Sequence, residues 1–523
     1  MIKTMQTKRA LISVYDKTGL EKFARELISL GYEIVSSGGT AGHLREKGIH
    51  VIDVSDITGF PEMLDGRVKT LHPRIHAGIL ACRHIPAHME KLKQNDIAPI
   101  DLVIVNLYPF EQTVAKPDVT EEQAIENIDI GGPSLIRAAA KNYQAVAVLT
   151  SPEQYQPVLD EIKQFKEVSL ETKKKLAVNA FELTGRYDVA INNYFSGRMA
   201  DKKEIPDSIT IPLDKSIDLR YGENPHQSAG FYLPSGHKLP FEQIHGKEIS
   251  YNNILDLSAA WELIQEFKKP SCAIIKHTNP CGCATAGALV QAYVLASQGE
   301  LPPEPISRFG GIISFNRPLD QETAMQIVAP GSFYEVIAAP DFEPGVKDIF
   351  AGRKGWGQNV RLVKMDKDAV KSGWLTRSAA GGYLIQRPDD MVLDEKILQH
   401  VSGPAPTEAM MADLVFAYRL VKHLKSNAIA IAKDQQLIGA GAGQMNRLAS
   451  VRLALKQAGD RAKGAVLASD GFFPFHDNIE EAAAGGIAAI IQPGGSVKDS
   501  DVIQKATELN LTMLLTGHRH FRH

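Results

Sequence analysis

The spacing of apolar residues along the first 150 positions predicts buried strands that alternate with amphipathic helices. Strands are predicted at residues 10–14, 32–36, 51–54 and 101–106. Helices are predicted between them at 19–29 and 41–47, because apolar residues recur there three and four positions apart. Strands that are apolar on both faces and alternate with helices favour a parallel sheet covered on both sides.

A polar, proline-containing stretch then separates two regions of the chain. Residues 153–162 and 170–195 have helical periodicity, and the stretch that follows reads SGRMADKKEIPDSITIPLDKSI. Such composition is typical of a boundary between domains. We therefore expect one domain at residues 1–200 and a second region at residues 205–523.

The second region shows a weak internal repeat in the order of its predicted elements. A helix at 257–267, a strand at 272–275, a loop reading HTNPCGC and a helix at 286–296 form the first block. A helix at 412–424, a strand at 428–432, a glycine-rich loop and a helix from residue 447 form the second. Although the blocks share almost no residues, their common order predicts two similar αβα subdomains that divide near residues 390–405.

The composition of the chain excludes some classes of protein but does not indicate a function. Of the 523 residues, 44% are hydrophobic and 23% are charged, and the net charge is −3, which excludes collagen, a disordered acidic tail and a membrane bundle. Because the net charge is slightly negative, the protein has no overall positive potential that would attract nucleic acid. Local cations or backbone N–H groups must therefore hold any anionic ligand. Four sparse cysteines, three of them in one short stretch, favour a reducing compartment, and we expect a cytoplasmic protein.

Several polar motifs in the first region follow predicted strands. Residues 37–40, Ser-Gly-Gly-Thr, lie between a strand and a helix, where they form either a phosphate site or an ordinary helix cap with a tight turn. Ser13 and Lys17 belong to the same rim of the expected sheet, where ligands of open α/β sheets gather. Arg67 and Lys69 alternate with Val68, which suits an anionic substrate or, alternatively, a solvated basic turn.

Proton-transfer candidates follow in the same region. Tyr108 comes after the most apolar strand, and Asp129 precedes a helix that contains Lys141. These groups could transfer protons and stabilise an oxyanion, or Asp129 could cap the helix and Lys141 lie on the surface. His72 and His76 have metal-like spacing, but the intervening Pro73 and the lack of a nearby glutamate argue against a zinc helix.

In the second region, polar and titratable residues cluster most closely at residues 276–283, Lys-His-Thr-Asn-Pro-Cys-Gly-Cys. A lysine–histidine acid–base pair fits this stretch better than a zinc deaminase site, because the cysteines are spaced Cys-x-Cys and no His-x-Glu motif is present. The glycines of residues 439–443 suit either a phosphate or close packing of a helix on a strand. Residues 471–475, Gly-Phe-Phe-Pro-Phe, suit either a flat heterocycle or a corner of the core.

Taken together, these motifs resemble the bifunctional purine biosynthesis family that combines AICAR transformylase with IMP cyclohydrolase. The cyclohydrolase half is similar to SVYDKTGL, SSGGTA, TGFPEMLDGRVKTLHPRIHAGIL, NLYPF and IDIGGPSLIRAAAKN. The transformylase half is similar to LRYGENPHQ, IKHTNPCG, KSNAIAI, IGAGAGQMNR, SDGFFPFHDNIE and the arginine-bearing C-terminus. The resemblance runs from about residue 9 to residue 523.

The resemblance implies a fold and two consecutive reactions. The expected fold is α/β, with a methylglyoxal synthase-like αβα domain followed by two cytidine-deaminase-like αβα subdomains without catalytic zinc. The transformylase would move a formyl group from 10-formyltetrahydrofolate to AICAR, and the cyclohydrolase would close the product FAICAR to IMP with loss of water. The family further implies a homodimer that needs no metal and binds neither nucleic acid nor membrane.

The resemblance also implies roles for individual residues. In the cyclohydrolase, Lys69 and Tyr108 would stabilise the oxyanion while Asp129 and Lys141 handle protons. Substrate binding there would involve Ser13, Lys17, Ser37, Gly38, Gly39, Thr40, Arg67, Thr70, Asn106 and Gly131.

In the transformylase, His277 would accept the amine proton, and Lys276 and Asn427 would stabilise the tetrahedral intermediate. The remaining implied residues bind ligands. The AICAR phosphate would be bound by Arg220 and Arg519, and the rest of AICAR would be contacted by Tyr221, Gly310, Glu335 and Phe472. The folate would be bound by Leu448, Pro474 and Asp477. Some family members carry Asp at the position of Glu335 and Ile at that of Leu448, which weakens these two assignments.

Two alternatives belong to other functional classes. The first region could be a regulatory module that binds a ligand without catalysis, although the full set of four catalytic candidates argues against this. The second region could be a zinc deaminase that acts on a nucleobase.

Overall fold

The computed structural model describes residues 8–199, 205–298, 309–367 and 373–523 of the chain. The chain divides into two compact units, Met1–Pro212 and Leu213–His523. Residues 200–204, where the sequence suggests the boundary, lie outside the described residues, so that boundary stays a prediction. Within the described ranges, no helix combines the length and apolar character that a bilayer crossing requires.

The first unit is built on a five-stranded sheet whose strands are all parallel. The order is β3-β2-β1-β4-β5, and every neighbouring pair runs parallel. The strands are β1 (Lys8–Ser13), β2 (Tyr32–Ser36), β3 (Ile52–Asp53), β4 (Leu102–Val105) and β5 (Ala147–Leu149). The parallel sheet predicted from uniformly apolar strands is confirmed.

Ten helices accompany this sheet in the described residues. They are α1 (Leu20–Ser29), α2 (Gly38–Glu46), α3 (Val54–Thr58), α4 (Pro73–Leu80), α5 (Pro86–Gln94), α6 (Phe110–Val114), α7 (Glu121–Glu126), α8 (Gly131–Lys141), α9 (Tyr155–Phe165) and α10 (Leu170–Met199). Fully buried strand residues such as Leu11 and Val103 pack with Phe23 of α1 and Ile136 of α8 in one core. Helix α2 begins at Gly38, three residues earlier than predicted, so the glycines of the 37–40 motif form its first turn.

The second unit contains sixteen strands in the described residues. They are β6 (Leu213–Leu219), β7 (Ala229–Pro234), β8 (Phe241–His245), β9 (Ser271–Lys276), β10 (Asn279–Thr285), β11 (Gly311–Phe315), β12 (Tyr334–Ala339), β13 (Arg361–Met365), β14 (Leu375–Ala379), β15 (Gly382–Gln386), β16 (Gln399–Ser402), β17 (Ile429–Lys433), β18 (Gln436–Gly441), β19 (Val466–Ser469), β20 (Ala489–Gln492) and β21 (Thr512–Leu515). Twelve of them form one sheet, and the pairs β6–β7 and β14–β15 form two separate hairpins.

In the described ranges of this unit, eight α-helices pack against the large sheet. They are α11 (Tyr251–Ile264), α12 (Leu289–Ser297), α13 (Gln321–Ile327), α14 (Val346–Gly352), α15 (Glu408–Val421), α16 (Arg447–Ala458), α17 (Asp477–Ala484) and α18 (Asp499–Glu508). Helices α11 and α15 share one hydrophobic core with strands of both halves of the sheet. Helices α12–α14 and α16–α18 form two further cores, one for each half.

The twelve-stranded sheet confirms the predicted internal repeat. In the first half, β9 pairs antiparallel with β10 and β11, β11–β12–β13 run parallel, and β8 closes the edge antiparallel. In the second half, β17 pairs in the same way with β18 and β19, β19–β20–β21 run parallel, and β16 closes the opposite edge. The halves meet where β10 pairs antiparallel with β18.

Two sequence-based predictions in this unit are wrong. The stretch after residue 275, expected to be a loop, makes a two-residue turn and continues as β10, and most of the glycine-rich stretch 439–443 belongs to β18. A methyl group on Gly282 would overlap the carbonyl oxygen of Ala296 in α12, and one on Gly439 would overlap that of Ala454 in α16. These glycines therefore let a helix backbone lie directly on the strand, which accounts for them without a phosphate.

We expect Gly282→Ala and Gly439→Ala each to destabilise the second unit by about 1–3 kcal/mol, because the added methyl group must displace a helix. Gly287→Ala is the matched control, since no atom lies within 4 Å of the methyl position there. Urea denaturation followed by circular dichroism measures the difference. Equal stability of the two buried variants and the control would contradict the packing explanation.

Candidate active sites

The rim of the first sheet is organised by Asn106, directly after β4. Its side-chain oxygen accepts hydrogen bonds from the N–H groups of Tyr15 (2.6 Å) and Asp16 (3.0 Å), and its amide donates to the carbonyl of Asp16 (3.0 Å). The side chain therefore fixes the loop between β1 and α1. Direct contact of Asn106 with a substrate stays a prediction.

The N-terminus of α2 forms a cradle with the features of an anion site. The Thr40 hydroxyl donates to the carbonyl of Val14 (3.0 Å) and accepts from its N–H (3.1 Å), which fastens α2 to the end of β1. The Ser37 hydroxyl, in contrast, is buried and has no hydrogen-bond partner in the described part of the chain. A free hydroxyl beside the unpaired N–H groups of a helix N-terminus suits a phosphate.

Lys69 lies beside this cradle. A Cβ atom built on Gly38 would be 3.2 Å from Lys69 Nζ, and one built on Gly66 would be 3.5 Å from it and 2.7 Å from Oε1 of Glu62. Because neither glycine has a side chain, both leave room for the ammonium group. Both also have positive φ, a backbone conformation that favours glycine. Glu62 was not singled out from the sequence, although it lies in the same motif as Lys69.

Asp129 and Tyr108 share the electrostatic environment of Lys69. Burial raises the pKa of the Asp129 carboxyl, while the N–H of Gly132 (2.8 Å) and the charge of Lys69 act to lower that pKa. Burial, with the charges of Asp129 and Glu62, raises the pKa of the Tyr108 phenol. A neutral phenol, an ammonium and a carboxyl group of raised pKa thus lie together. This set can stabilise an oxyanion and accept a proton.

Asp129 also has a structural role at the start of α8. Its N–H donates to the Tyr187 hydroxyl (2.7 Å), which in turn donates to the carbonyl of Asn127 (3.0 Å). Its carboxylate accepts from Gly132 in the first turn of the helix. The capping interpretation and the catalytic interpretation of Asp129 are therefore compatible.

Other predicted residues of this site are more distant or already paired. Lys141 is the exposed last residue of α8, about 15 Å along the helix axis from Gly131, so the structure separates it from Asp129. Arg67 forms an ion pair with Glu126 on the surface. Lys17 donates to the carbonyl of Tyr15 (3.3 Å), and its ammonium group is exposed.

Thr70 and Ser13 are two further residues for which substrate binding is predicted. A Cβ atom built on Gly131 would be 3.1 Å from the Thr70 hydroxyl, so this buried hydroxyl faces the first residue of α8. Ser13 is the last residue of β1, at the carboxyl end of the strand.

In the second unit, the lysine–histidine pair lies on a tight hairpin. His277 and Thr278 connect β9 to β10, and both have positive φ, 53° and 62°. The carboxylate of Asp256 in α11 accepts their two N–H groups, at 3.1 Å and 2.6 Å. Left-handed backbone is unfavourable for a β-branched residue such as Thr278 and costs about 1–3 kcal/mol. Sequence reasoning expected a loop here and did not find Asp256.

Lys276 connects this hairpin to a cavity. Its ammonium donates to the carbonyl of Phe309 (2.9 Å), and the N–H of the next residue, Gly310, donates to the carbonyl of Phe333 (2.8 Å). The rings of Phe309 and Phe333 are 5.0 Å apart, and Phe333 lines the cavity. Gly310 has a positive φ of 76°, which favours glycine at this position.

The cavity has a volume of about 830 Å³, and its charged lining consists of three cations and the carboxylates of Glu248 and Glu335. Its lining includes the predicted residues Arg220, Tyr221 and Glu335, together with Lys247 and Arg361, which sequence reasoning missed. The guanidinium of Arg220 lies over the Tyr221 ring at 4.7 Å. Glu335 accepts from Asn253 (2.8 Å) and lies 4.0 Å from Arg361. Three cations beside aromatic side chains suit a phosphorylated heterocycle.

A second group of predicted residues gathers around Asn427. The Asn427 side-chain oxygen accepts from Arg447 (2.9 Å), and its amide donates to the carbonyl of Gln444 (2.9 Å). Arg447 is buried and forms an ion pair with Asp470, so its charge is already compensated. Arg447 therefore positions the side chain of Asn427.

The other predicted residues of this group come from its neighbouring elements. Arg519 lies over the ring of Phe521 at 4.6 Å, and that ring edge would meet a Cβ atom on Gly471, the residue before Phe472. Leu448 is the second residue of α16, Pro474 precedes α17 and Asp477 begins it.

One side chain, Asn279, connects the two groups. Its oxygen accepts from the N–H of Lys425 (3.0 Å), and its amide donates to the carbonyl of His277 (3.0 Å). The cavity lining itself includes Arg220 but neither Arg519 nor Asn427. The predicted grip of Arg220 and Arg519 on one phosphate is therefore not assembled at this cavity by one chain.

Cys272 and Cys283 do not present thiolates. Burial raises the pKa of both Cys272 and Cys283 well above that of an ordinary thiol, so both stay neutral in the core. Zinc binds the thiolate form of cysteine. Among the described residues, no group of three or more His, Cys, Asp or Glu side chains could hold a metal ion.

Comparison with known proteins identifies matches along the chain. Residues 19–134 match the MGS-like domain, and residues 139–457, more than half of the chain, match the AICARFT/IMPCHase bienzyme. The chain is 49% identical over 527 residues to the bifunctional purine biosynthesis protein PurH of Desulfitobacterium hafniense, covering 99% of this chain and 100% of the relative. The proteins of the same name from Acetivibrio thermocellus and Bacillus mycoides are 48% and 47% identical, with the same coverage.

We expect Asp129→Asn to stabilise the first unit near pH 8 and to lose that advantage near pH 4. Folding raises the pKa of this carboxyl, so its contribution to stability is present at low pH and is lost as pH rises through the folded pKa. Asparagine stays neutral and can still accept from Gly132. Calorimetric melting at both pH values, with the exposed Asp118→Asn as control, measures the effect. A variant less stable than the control near pH 8 would refute it.

Proposed function

The chain belongs to the AICARFT/IMPCHase bienzyme family, and we propose that its second unit transfers the formyl group while its first unit closes the ring. It is a bifunctional enzyme of purine biosynthesis with AICAR transformylase and IMP cyclohydrolase activities. The family uses formyltetrahydrofolate as co-substrate, and we propose the 10-formyl isomer as the donor.

Formyl transfer is carried by the hairpin that bears Lys276 and His277. The 5-amino group of AICAR attacks the formyl carbon, and His277 accepts the amine proton as the C–N bond forms. Lys276 and Asn427 stabilise the oxyanion of the tetrahedral intermediate, which collapses as the folate nitrogen leaves with a proton. The main support is the position of this hairpin, whose lysine connects to the cation-lined cavity through Phe309.

The same cavity suits the nucleotide. Arg220 with Lys247 and Arg361 holds the phosphate, since guanidinium groups match phosphate oxygens in pairs. Tyr221 and Glu335 contact the remainder of AICAR, and Gly310 leaves space beside Phe333. Phe472 contacts the rest of AICAR, and Leu448, Pro474 and Asp477 line the folate side.

A homodimer completes the transformylase site in this proposal. Within one chain the residues implied by the family form two groups, and Arg519 and Asn427 do not line the cavity of Arg220. A second subunit that brings its own group to this cavity would supply them. The exposed apolar side chains of Tyr383 and Leu384 on the β14–β15 hairpin and of nearby Val392, each more than 60% exposed, suit burial between subunits.

Ring closure uses the cluster around Lys69. The carboxamide nitrogen of FAICAR attacks its own formyl carbon, so the protein needs chiefly to position the reactants and move protons. Asp129 accepts a proton from the carboxamide nitrogen, while Tyr108 and Lys69 stabilise the oxyanion until it is protonated to a hydroxyl group. This hydroxyl leaves as water with the proton of the former formamido nitrogen, and the new C=N bond forms. The N-terminus of α2 with the free Ser37 hydroxyl holds the phosphate. Both reactions suit the cytoplasm, where we expect the protein.

We expect His277→Ala to lower the kcat of formyl transfer by about 10²–10⁴-fold, because the variant lacks the general base. Cyclisation of added FAICAR should stay near the wild-type rate. The assay follows tetrahydrofolate release and IMP formation separately. His237→Ala, on an exposed loop, is the control; loss of both activities in His277→Ala would refute the assignment of activities to units.

We expect Tyr108→Phe to lower the kcat of cyclisation by about 10²–10³-fold, the usual effect of removing one oxyanion donor. Tyr15→Phe is the matched control, because its ring packs edge-on against Tyr108 with centroids 5.7 Å apart. Both variants should keep full formyl transfer. Cyclisation unaffected by Tyr108→Phe would remove this residue from the mechanism.

A further inference from the structure

In each half of the second unit, an aspartate on a helix accepts hydrogen bonds from two backbone N–H groups of a tight turn. In the first half, Asp256 accepts the N–H groups of His277 and Thr278. In the second half, Asp413 of α15 accepts those of Asp434 and Gln435, at 2.9 Å and 2.6 Å. The carboxylate precedes the first turn residue by 21 positions in both halves.

The backbone of the two turns is also the same. Asp434 and Gln435 have φ values of 53° and 54°, and His277 and Thr278 have 53° and 62°. Two consecutive residues with positive φ define a tight hairpin turn that normally favours asparagine and glycine. The second position of each turn is Thr278 or Gln435 instead of the preferred glycine, so in each half the helix carboxylate compensates for this unfavourable residue.

The two turns carry different side chains. The first presents Lys276 and His277, whereas the second presents Lys433, Asp434 and Gln435. The side chain of His277 is exposed at the hairpin tip, so packing around this side chain does not hold its backbone in place. The two N–H bonds to Asp256 and the bond from Asn279 to the His277 carbonyl are the described hydrogen bonds that hold this backbone.

We infer that Asp256 is a positioning residue for formyl transfer, holding the left-handed His277–Thr278 turn so that the imidazole reaches the AICAR amine. This inference rests on the proposed role of His277. Asp256 acts through two bonds to backbone N–H groups and touches no reacting atom. Displacement of a catalytic group by about 1 Å can cost about 100-fold in rate, so loosening this turn is expected to lower kcat.

The test compares Asp256→Asn with Asp413→Asn in the full-length protein. Asparagine keeps one acceptor oxygen, but its NH₂ group faces the second backbone N–H. Both variants lose the same backbone interaction in matched turns, and the melting temperature of each is measured beside its kcat. We expect the kcat of formyl transfer to fall about 100-fold in Asp256→Asn and less than about threefold in Asp413→Asn. The KM for AICAR should change little in either, because Arg220 is untouched.

A second-site variant tests the turn geometry itself. Thr278→Gly removes the strain of left-handed backbone, since glycine adopts positive φ freely. Added to Asp256→Asn, it should recover at least about tenfold of the lost kcat. Equal losses of kcat in Asp256→Asn and Asp413→Asn, or no recovery in the double variant, would overturn the inference.

The role of His277 is tested separately in the same assay. If His277→Ala retains formyl transfer, the proposed function fails and the inference fails with it. If His277→Ala is inactive while Asp256→Asn behaves like Asp413→Asn, the inference alone fails. Cyclisation of FAICAR, measured in every variant, shows that the first unit remains folded.

Discussion

The antiparallel pairing of β10 with β18 is the interaction on which the second unit depends. It joins two half-sheets of identical topology into one sheet of twelve strands, and it lets α11 and α15 share a single core with both halves. Because β10 begins immediately after the His277 turn, the reactive hairpin belongs to the strand that makes this junction. Asn279, the first residue of β10, then reaches the loop of Asn427. The candidate site is thus held by the rigid centre of the unit.

In the proposed mechanism, the two units solve the same chemical problem with different structural means. Both must hold a phosphorylated substrate and stabilise an oxyanion. The first unit uses a helix N-terminus, with Lys69 set between two glycines and a carboxyl group whose pKa burial raises. The second uses a cation-lined cavity and a strained turn held by a carboxylate. In each case a locally unfavourable feature is compensated by neighbouring hydrogen bonds, as is common at functional sites.

The site was predictable where its residues lie in continuous motifs and not where they approach from distant elements. Lys69, Tyr108, Lys276 and His277 stand in recognisable stretches that follow apolar strands. Asp256 lies on a helix 21 residues before the turn it holds, and no local pattern indicates which helical carboxylate faces that turn. Lys247 and Arg361 reach the cavity from separate elements. The role of Lys141 stays a prediction from the family resemblance, because this residue ends α8 about 15 Å along the helix axis from Gly131.

The sequence alone determined the parallel sheet of the first unit, the repeated order of elements in the second and the family resemblance, because hydrophobic period and motif residues are local properties. Only the tertiary structure showed that residues 279–285 and 436–441 are strands. Their glycines resemble loop residues until the backbones of α12 and α16 are packed against them. Close approach of a helix to a strand is a contact between distant segments, and no local pattern of hydrophobicity records it.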